Sequence, residues 1–289
     1  LKPVQCPHHT QIFASKLRSY KDLPIRYMES DKQYRAELQG AVGNSLSRVY
    51  AITVEDGHVF CTREQVKQEI INICNLIKDF YSRMGLWENH WVSLSVRDYD
   101  HPEKYIGEKS DWDLCENLLQ EISDELGLDA KRCEGEAALY GPKLDFMFKD
   151  ALDREIQIPT VQLDFATPKR FGLSYIDENG EKQSPVMVHR AVLGSYERFL
   201  VLLLEQSKGI LPIWLSPVQV NIVPINVKYQ GEYCEKLKQL LIDEDIRVGY
   251  DDSEERFNKK IMNSNVMKNP YTLIIGDNER DNNLVSYRK

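Results

Sequence analysis

No stretch of this 289-residue chain is apolar for long enough to cross a membrane; the most apolar run, Phe199 to Leu204, falls far short of the ~18 to 20 residues a span requires. A signal peptide is lacking too, and because the first residue is Leu we expect the chain to begin inside a longer gene product. No disulfide framework is present: Cys6, Cys61, Cys74, Cys115, Cys133 and Cys234 are scattered, which fits a reducing, cytoplasmic setting. Five of them read as core or surface thiols. Cys6 stands apart because Pro7, His8 and His9 follow it. Positive charge is short as well. The net charge of −8 argues against non-specific nucleic-acid binding, which depends on a basic surface that neutralises phosphates. Two local clusters, Lys16/Arg18/Lys21 and Lys259/Lys260/Lys268, leave a basic track open, although such clusters are more often a solvated face. Repeats and low-complexity segments are absent.

What is there suits one large and one small domain, each able to bury a core. Val66, Ile70, Ile73, Ile77, Phe80 and Met84 recur at helical steps, so a helix is expected from Thr62, capped with Gln65, to Gly85. A second helix, Ser110 to Leu126, would turn Leu114, Leu118, Ile122 and Leu126 inward. Strands are expected at Trp91 to Val96, Lys143 to Phe148, Glu155 to Phe165 and Val186 to His189, with a helix starting near Ala191. Long strands around few helices, without βαβ alternation, imply an α+β fold built on an antiparallel sheet that can present one open face. After a linker around Leu211 to Pro217 the pattern changes. Strands at Val218 to Val223, Ile246 to Tyr250 and Tyr271 to Ile275 alternate with helices at Tyr233 to Leu241 and Phe257 to Asn265, giving a small α/β domain that looks incomplete at Lys289. The expected bounds are 1–212 and 217–289.

The stretch from Tyr34 to His58 carries the most chemistry. Arg35 and Arg48 offer planar guanidinium forks suited to phosphate oxygens. Asp56 and His58 alternate onto one strand face. Cys6, His58 and His189 would make a three-ligand metal site with a position left for substrate, though three ligands so far apart in sequence are weak evidence taken alone. His189 is followed by Gly194, Glu197 and Arg198, an approach to a helix that carries a further arginine.

In order and spacing, LKPVQCPHHTQIF, SYKDLPIR, YRAE, DGHVFC, ALYGPKLDF, TVQLDF, VMVHRAVLGSYERF and WLSPVQV resemble the catalytic and anticodon-binding domains of the threonyl-tRNA synthetase family. YRAE to Ile52 resembles class II motif 2, and LGSYERF resembles motif 3. The resemblance covers nearly the whole chain and implies a class II catalytic domain followed by an α/β anticodon-binding domain. It implies Zn2+ on Cys6, His58 and His189, bound in turn by the amino group and hydroxyl of L-threonine. An apolar pocket separates threonine from valine by only ~10²-fold, so a metal that needs a hydroxyl adds the missing discrimination, and serine, which keeps the hydroxyl, is rejected poorly. It further implies that Asp56 accepts a hydrogen bond from that hydroxyl, that Tyr140, Gln157 and Gln162 line the pocket, and that Lys143 adds charge. Arg35 would bridge the α-phosphate of ATP and the threonine carboxylate, Glu37 would hold the adenine edge, and Arg48 and Arg198 would clamp the γ-phosphate. Mg2+ on the ATP phosphates, tRNA(Thr) as partner, and a homodimer for the full-length protein complete the implied set. Anticodon contacts are unassigned beyond Tyr229, Tyr250 and Phe257 as candidates.

The bland alternatives are surface ion pairing for Arg48 and Arg198, core packing for Tyr140, solvated surface for Lys143, and local hydrogen bonding for His8 and His9. Departures from the family pattern are Val4 and Gln5 for Met-Asn, Ile52 for an aromatic residue against adenine, Tyr50 for arginine, Val54 for glutamine, and the sequence of the loop from Leu38 to Ser47. Motif 1 and a tRNA-editing domain are expected upstream of Leu1. Two other classes stay open: a synthetase-like binding protein that charges no tRNA, against which the retained arginines count, and a zinc hydrolase, against which the lack of a zincin-like glutamate counts.

Overall fold

A computed structural model describes residues 1–37, 42, 46 and 48–289, which fall into two compact units, Leu1–Gln206 and Ser207–Lys289. The loop departure noted between Leu38 and Ser47 lies for the most part outside the described residues.

The first unit runs α1 (Cys6–Ala14), β1 (Ile25–Tyr34), β2 (Ala51–Cys61), α2 (Val66–Arg83), β3 (His90–Val96), α3 (Lys109–Leu126), β4 (Lys131–Glu134), β5 (Lys143–Lys149), β6 (Glu155–Asp164), α4 (Ala166–Arg170), β7 (Tyr175–Ile176), β8 (Lys182–Gln183), β9 (Val186–Ser195) and α5 (Tyr196–Gln206). Seven strands form one sheet in the order β1-β2-β9-β6-β5-β3-β4, antiparallel throughout except for β3 with β4. Apolar spacing makes α2 a one-sided helix, and Val66, Ile70, Ile73, Ile77 and Tyr81 are buried along it. Each such aliphatic side chain contributes about 1.5 to 3 kcal/mol on burial. Tyr81 also fixes the helix to the sheet, since its hydroxyl donates to the Val192 carbonyl at 2.9 Å. The Gln65 side chain accepts from the Thr62 N–H, which supplies one half of the expected capping box.

Two expectations change. The buried face of α3 is Trp112, Cys115, Leu119 and Ile122, with Leu114 exposed, because Trp112 and Cys115 lead the packing and rotate the helix away from the Leu114/Leu118 stripe. The helix expected near Ala191 starts at Tyr196. Residues Ala191 to Ser195 continue β9, where Ala191 pairs with Thr160 and Ser195 with Val54. Between those pairs β9 carries extra residues opposite Asp56, and the buried Glu55 carboxylate accepts from the N–H groups of Val192 and Leu193 in place of a ladder partner. Gly194 closes this bulge at φ +61°, with its α-carbon so near the Ile158 carbonyl that a β-carbon would lie 2.8 Å from the oxygen.

The second unit holds β10 (Val220–Pro224), α6 (Val227–Asp243), β11 (Val248–Tyr250), α7 (Phe257–Val266), β12 (Tyr271–Ile275), α8 (Asp277–Asn282) and β13 (Ser286–Arg288). Its sheet order is β11-β10-β12-β13, parallel for the first three and antiparallel at β13. Val220, Ile222, Cys234, Leu273 and Ile275 form its core. Lys260 corrects the surface-cluster reading: it is buried, and its ammonium donates to the Asp251 carbonyl at 3.2 Å. Among the described residues no helix is long and apolar enough to cross a membrane.

Candidate active site

Strand pairing brings the three candidate ligands together. His58 on β2 stands directly opposite His189 on β9, and α1 begins at Cys6 with Pro7 in its first turn, where a missing N–H costs nothing. The ligand atoms of Cys6, His58 and His189 all lie within 4.8 Å of one another. Cys6 Sγ is 3.6 Å from His189 Nδ1, and His58 Nε2 is 3.0 Å from the same nitrogen. A tetrahedral zinc with Zn–N near 2.1 Å and Zn–S near 2.3 Å would separate N from N by about 3.4 Å and N from S by about 3.6 Å, so the donor set fits this ion closely. The far side of each ring is occupied. His189 Nε2 donates to Asp164 at 2.8 Å, which leaves Nδ1 to face the cluster, and His58 Nδ1 lies 2.7 Å from His9 Nδ1. Burial strongly depresses the His58 pKa and keeps that ring neutral. At His189 burial pulls the same way, but the bonds to Asp164 and Cys6 override it and push the pKa up to about 10.

Beside this cluster lies a polar pocket wall. The Tyr140 ring stacks on His189 at 4.7 Å, and its hydroxyl donates to Gln162 at 2.5 Å. Burial raises the Tyr140 pKa far above the ordinary phenol range. Asp56 Oδ1 stands 3.9 Å from His58 Nε2, as strand alternation predicts, and Asp56 Oδ2 accepts from Gln33 at 3.3 Å. Burial pushes the Asp56 carboxyl up to about 6. Gln157, Gln162 and Thr160 share this face although their numbering mixes odd and even. The β5/β6 register shifts between Asp145 and Met147, and Pro159, which cannot donate to a ladder, sits in that stretch of β6. The irregularity turns Gln157 and Thr160 to the same side, where both donate to Asp145 Oδ1 at 2.7 Å. Asp145 Oδ2 accepts from Ser95 at 3.0 Å and pairs with the Lys143 ammonium at 2.7 Å. Lys143 is thus a largely buried network member, not solvated surface.

A second cleft adjoins the pocket. Arg35, Glu37, Arg48, Ile52, Val54, Gln157, Thr160, Gln162, Gly194 and Arg198 line it, so every candidate nucleotide residue reaches one cavity. The Arg35 N–H donates to the Tyr50 carbonyl at 2.9 Å, extending the β1/β2 ladder and fixing where its guanidinium begins. Arg48 approaches Glu37 at 3.5 Å, and Arg198 Nη1 donates to the Gln157 carbonyl at 3.1 Å. Burial, then the charges of Arg48 and Arg35, lower the Arg198 pKa, which shows three guanidinium groups crowding one cavity with Glu37 opposing them. Such a cavity attracts a polyanion. Glu197 accepts the Thr53 N–H with both oxygens at 3.0 Å and ties the start of α5 to β2. Ile52 and Val54 line the cleft, whereas Tyr50 is exposed.

Sequence reasoning missed Asp145, Thr160, Asp164 and Glu55, and set His9 aside as a local hydrogen-bonding residue. All five are side chains whose partners come from other strands or helices, so spacing along the chain carries no trace of the pairing. Pro159 inside an expected central strand was the one available signal of the irregularity that orients Gln157. In the second unit Tyr229 is exposed, while Tyr250 and Phe257 are half-buried.

Comparison with known proteins bears on the same residues. Residues 1–207 match the tRNA synthetase class II core domain (G, H, P, S and T), and residues 219–289 match the anticodon binding domain. Threonine–tRNA ligase of Staphylococcus aureus is 42% identical over 289 residues, covering 100% of this chain and 44% of that protein. The chain therefore spans less than half the length of the curated relatives it matches. A crystal structure of the RNA binding domain of threonyl-tRNA synthetase from Cryptosporidium parvum Iowa II superposes with a TM-score of 0.91 at 37% identity, over 100% of this chain and 70% of that one. A chain from Aeropyrum pernix assigned as a threonyl-tRNA synthetase gives 0.81 at 28% identity, over 100% and 67%. With its class II core and anticodon-binding domains in this order, the chain belongs to the class II aminoacyl-tRNA synthetases, in the threonyl-tRNA synthetase family.

Proposed function

We propose that this chain is the catalytic and anticodon-reading part of a cytoplasmic threonine–tRNA ligase, with domains at 1–212 and 217–289, homodimeric in the full-length protein. It activates L-threonine with ATP to threonyl-adenylate and passes the threonyl group to tRNA(Thr). The observation that carries this reading is adjacency: Gln162 lines the Arg35/Arg48/Arg198 cleft, pairs across the sheet with His189 of the Cys6/His58/His189 cluster, and accepts from Tyr140, whose ring stacks on His189.

Cys6, His58 and His189 would hold zinc, which would take the threonine amino group and hydroxyl as further ligands. Asp56, two residues along the strand from His58, accepts the hydroxyl proton's hydrogen bond. Tyr140, Gln157 and Gln162 shape the pocket around the side chain. Valine offers no hydroxyl to this site and would leave Asp56 desolvated, which supplies discrimination that apolar contacts lack. ATP enters as its magnesium complex. Arg35 draws the α-phosphate and the threonine carboxylate together, Arg48 and Arg198 hold the γ-phosphate, Glu37 takes the adenine edge, and Lys143 adds positive charge. Ile52 gives the base an apolar floor without aromatic stacking. The second domain reads the anticodon loop, with Tyr229, Tyr250 and Phe257 as stacking candidates. Threonine-dependent exchange between ATP and pyrophosphate, with serine and valine as controls, tests the reading. Exchange with threonine and not valine supports it; no exchange with threonine in the full-length protein overturns it.

A further inference from the structure

We infer that His9, backed by Glu29, is a positioning residue that holds His58 in the tautomer whose Nε2 lone pair faces Cys6 and His189. The inference rests on the metal reading above and concerns how this chain prepares the site. His9 lies three positions after Cys6 on α1, so both side chains leave the same helix face toward the cluster. His9 is 3% exposed, and its ring meets His58 edge-on at a centroid distance of 4.8 Å.

The 2.7 Å contact joins His9 Nδ1 to His58 Nδ1, and a hydrogen bond between two imidazole nitrogens holds one proton. Two arrangements satisfy it. In the first, His9 donates from Nδ1, His58 accepts at Nδ1, and the His58 proton sits on Nε2, pointing at His189 Nδ1. His9 Nε2 would then be a bare lone pair 3.8 Å from the Glu29 carboxylate, an arrangement of two acceptors that repel. In the second, His9 carries its proton on Nε2, facing Glu29, and accepts at Nδ1. His58 must then donate from Nδ1, and its Nε2 lone pair is turned into the cluster. Glu29 favours the second arrangement because an ionised carboxylate only accepts; Asp56 Oδ1, 3.9 Å from His58 Nε2, favours the first, and a cation taken up by His58 Nε2 decides for the second.

On the other side Asp164 accepts from His189 Nε2, so that its Nδ1 also points inward. His58 Nε2 and His189 Nδ1 then meet across 3.0 Å beside the Cys6 sulfur. A proton on His189 Nδ1 bridges the two nitrogens until a cation displaces it. His9 and Asp164 thereby pre-set both histidines as ligands and restrict the protons that would compete with a metal.

The test uses the 289-residue chain loaded with zinc and labelled with 15N-histidine. Long-range 15N–1H correlation spectra should show the His58 proton on Nδ1 and the His9 proton on Nε2; a His58 proton on Nε2, or a His9 proton on Nδ1, overturns the inference. Zinc affinity, measured by chelator competition, should fall about 10- to 100-fold in His9→Phe, which keeps an aromatic ring without the acceptor. His9→Asn, whose carbonyl can accept from His58, should recover most of that loss. A folded His9→Phe chain that binds zinc as tightly as the unsubstituted one overturns the inference, and if that variant does not fold the spectra of the unsubstituted chain decide. Cys6→Ser separates the two claims. If it binds zinc as well as the unsubstituted chain, or if neither binds, the metal reading falls and takes the inference with it. If only His9→Phe is unchanged, the inference alone falls.

Discussion

Gln157 on β6 and Asp145 on β5 are not register partners, yet Gln157 Nε2 donates to Asp145 Oδ1 at 2.7 Å, across the irregularity that contains Pro159. Asp145 is 3% exposed and collects donors from Ser95, Gln157 and Thr160 beside the Lys143 ammonium. Asp145→Asn would set an amide N–H₂ against that ring of donors and strip Lys143 of its counter-charge. We expect a loss of about 3 kcal/mol of unfolding free energy in urea titration, with weaker threonine binding. A variant of unchanged stability would show that Asp145 does not organise the pocket wall.

Glu55 makes a separate claim. Its carboxylate pairs with Arg190 and accepts two backbone N–H groups of the β9 bulge. Glu55→Ala should cost about 3 to 5 kcal/mol, because it leaves a partly buried guanidinium and two amides without their acceptor. Hydrogen exchange should speed up first at Val192 and Leu193. Protection unchanged at those amides would mean that the bulge holds itself.

Gln5 points the other way. Its amide is buried, and neither its Oε1 nor its Nε2 has a partner among the described residues. Gln5→Met removes the desolvation cost at nearly constant volume and should stabilise the chain by about 1 kcal/mol. A destabilised variant would mean that ordered water satisfies the amide.

Arg35→Lys tests the cleft. Lysine keeps the charge but loses the fork that can serve two oxyanions at once, so kcat/KM for threonine-dependent exchange should fall about 10²- to 10³-fold with little change in thermal stability. Retention of activity within a few-fold would remove Arg35 from the reacting centre.

Alkaline pH should weaken the fold through Cys74, whose thiol burial alone pushes up from 9.0 to about 12. The folded state holds this proton longer than the unfolded chain does. As pH rises past about 9 the unfolded thiol ionises first, so stability falls through the window up to about 12, by about 1.4 kcal/mol per pH unit at most. Cys74→Ala should flatten the pH 9 to 11 part of the unfolding curve relative to the unsubstituted chain. An unchanged slope would assign the alkaline sensitivity to other groups.

The periodic parts of this fold were legible in the sequence, α2 from its apolar steps and the change to α/β alternation after Pro217; the grouping of Cys6 with His58 and His189, and of Arg35 with Arg198, was legible only from their place in the family pattern. Strand continuation through Ala191 to Ser195 was not, because Glu55, from a different strand, supplies the acceptor that lets β9 bulge and go on. The inward face of α3 was misjudged for a related reason: leucine spacing favoured Leu114, whereas the larger Trp112 found a pocket in the core. Side chains that hold the site from behind, such as Asp164 and His9, owe their roles to rings that reach them from other elements.

The most direct test of the account is the visible spectrum of the chain reconstituted with Co(II) in place of zinc, titrated in turn with threonine, serine and valine. The account predicts that threonine and serine, which supply a hydroxyl ligand besides the amino group, shift the d–d bands further than valine at the same concentration. Equal shifts with valine, or no shift with threonine, would contradict a metal at Cys6, His58 and His189 that selects for the hydroxyl.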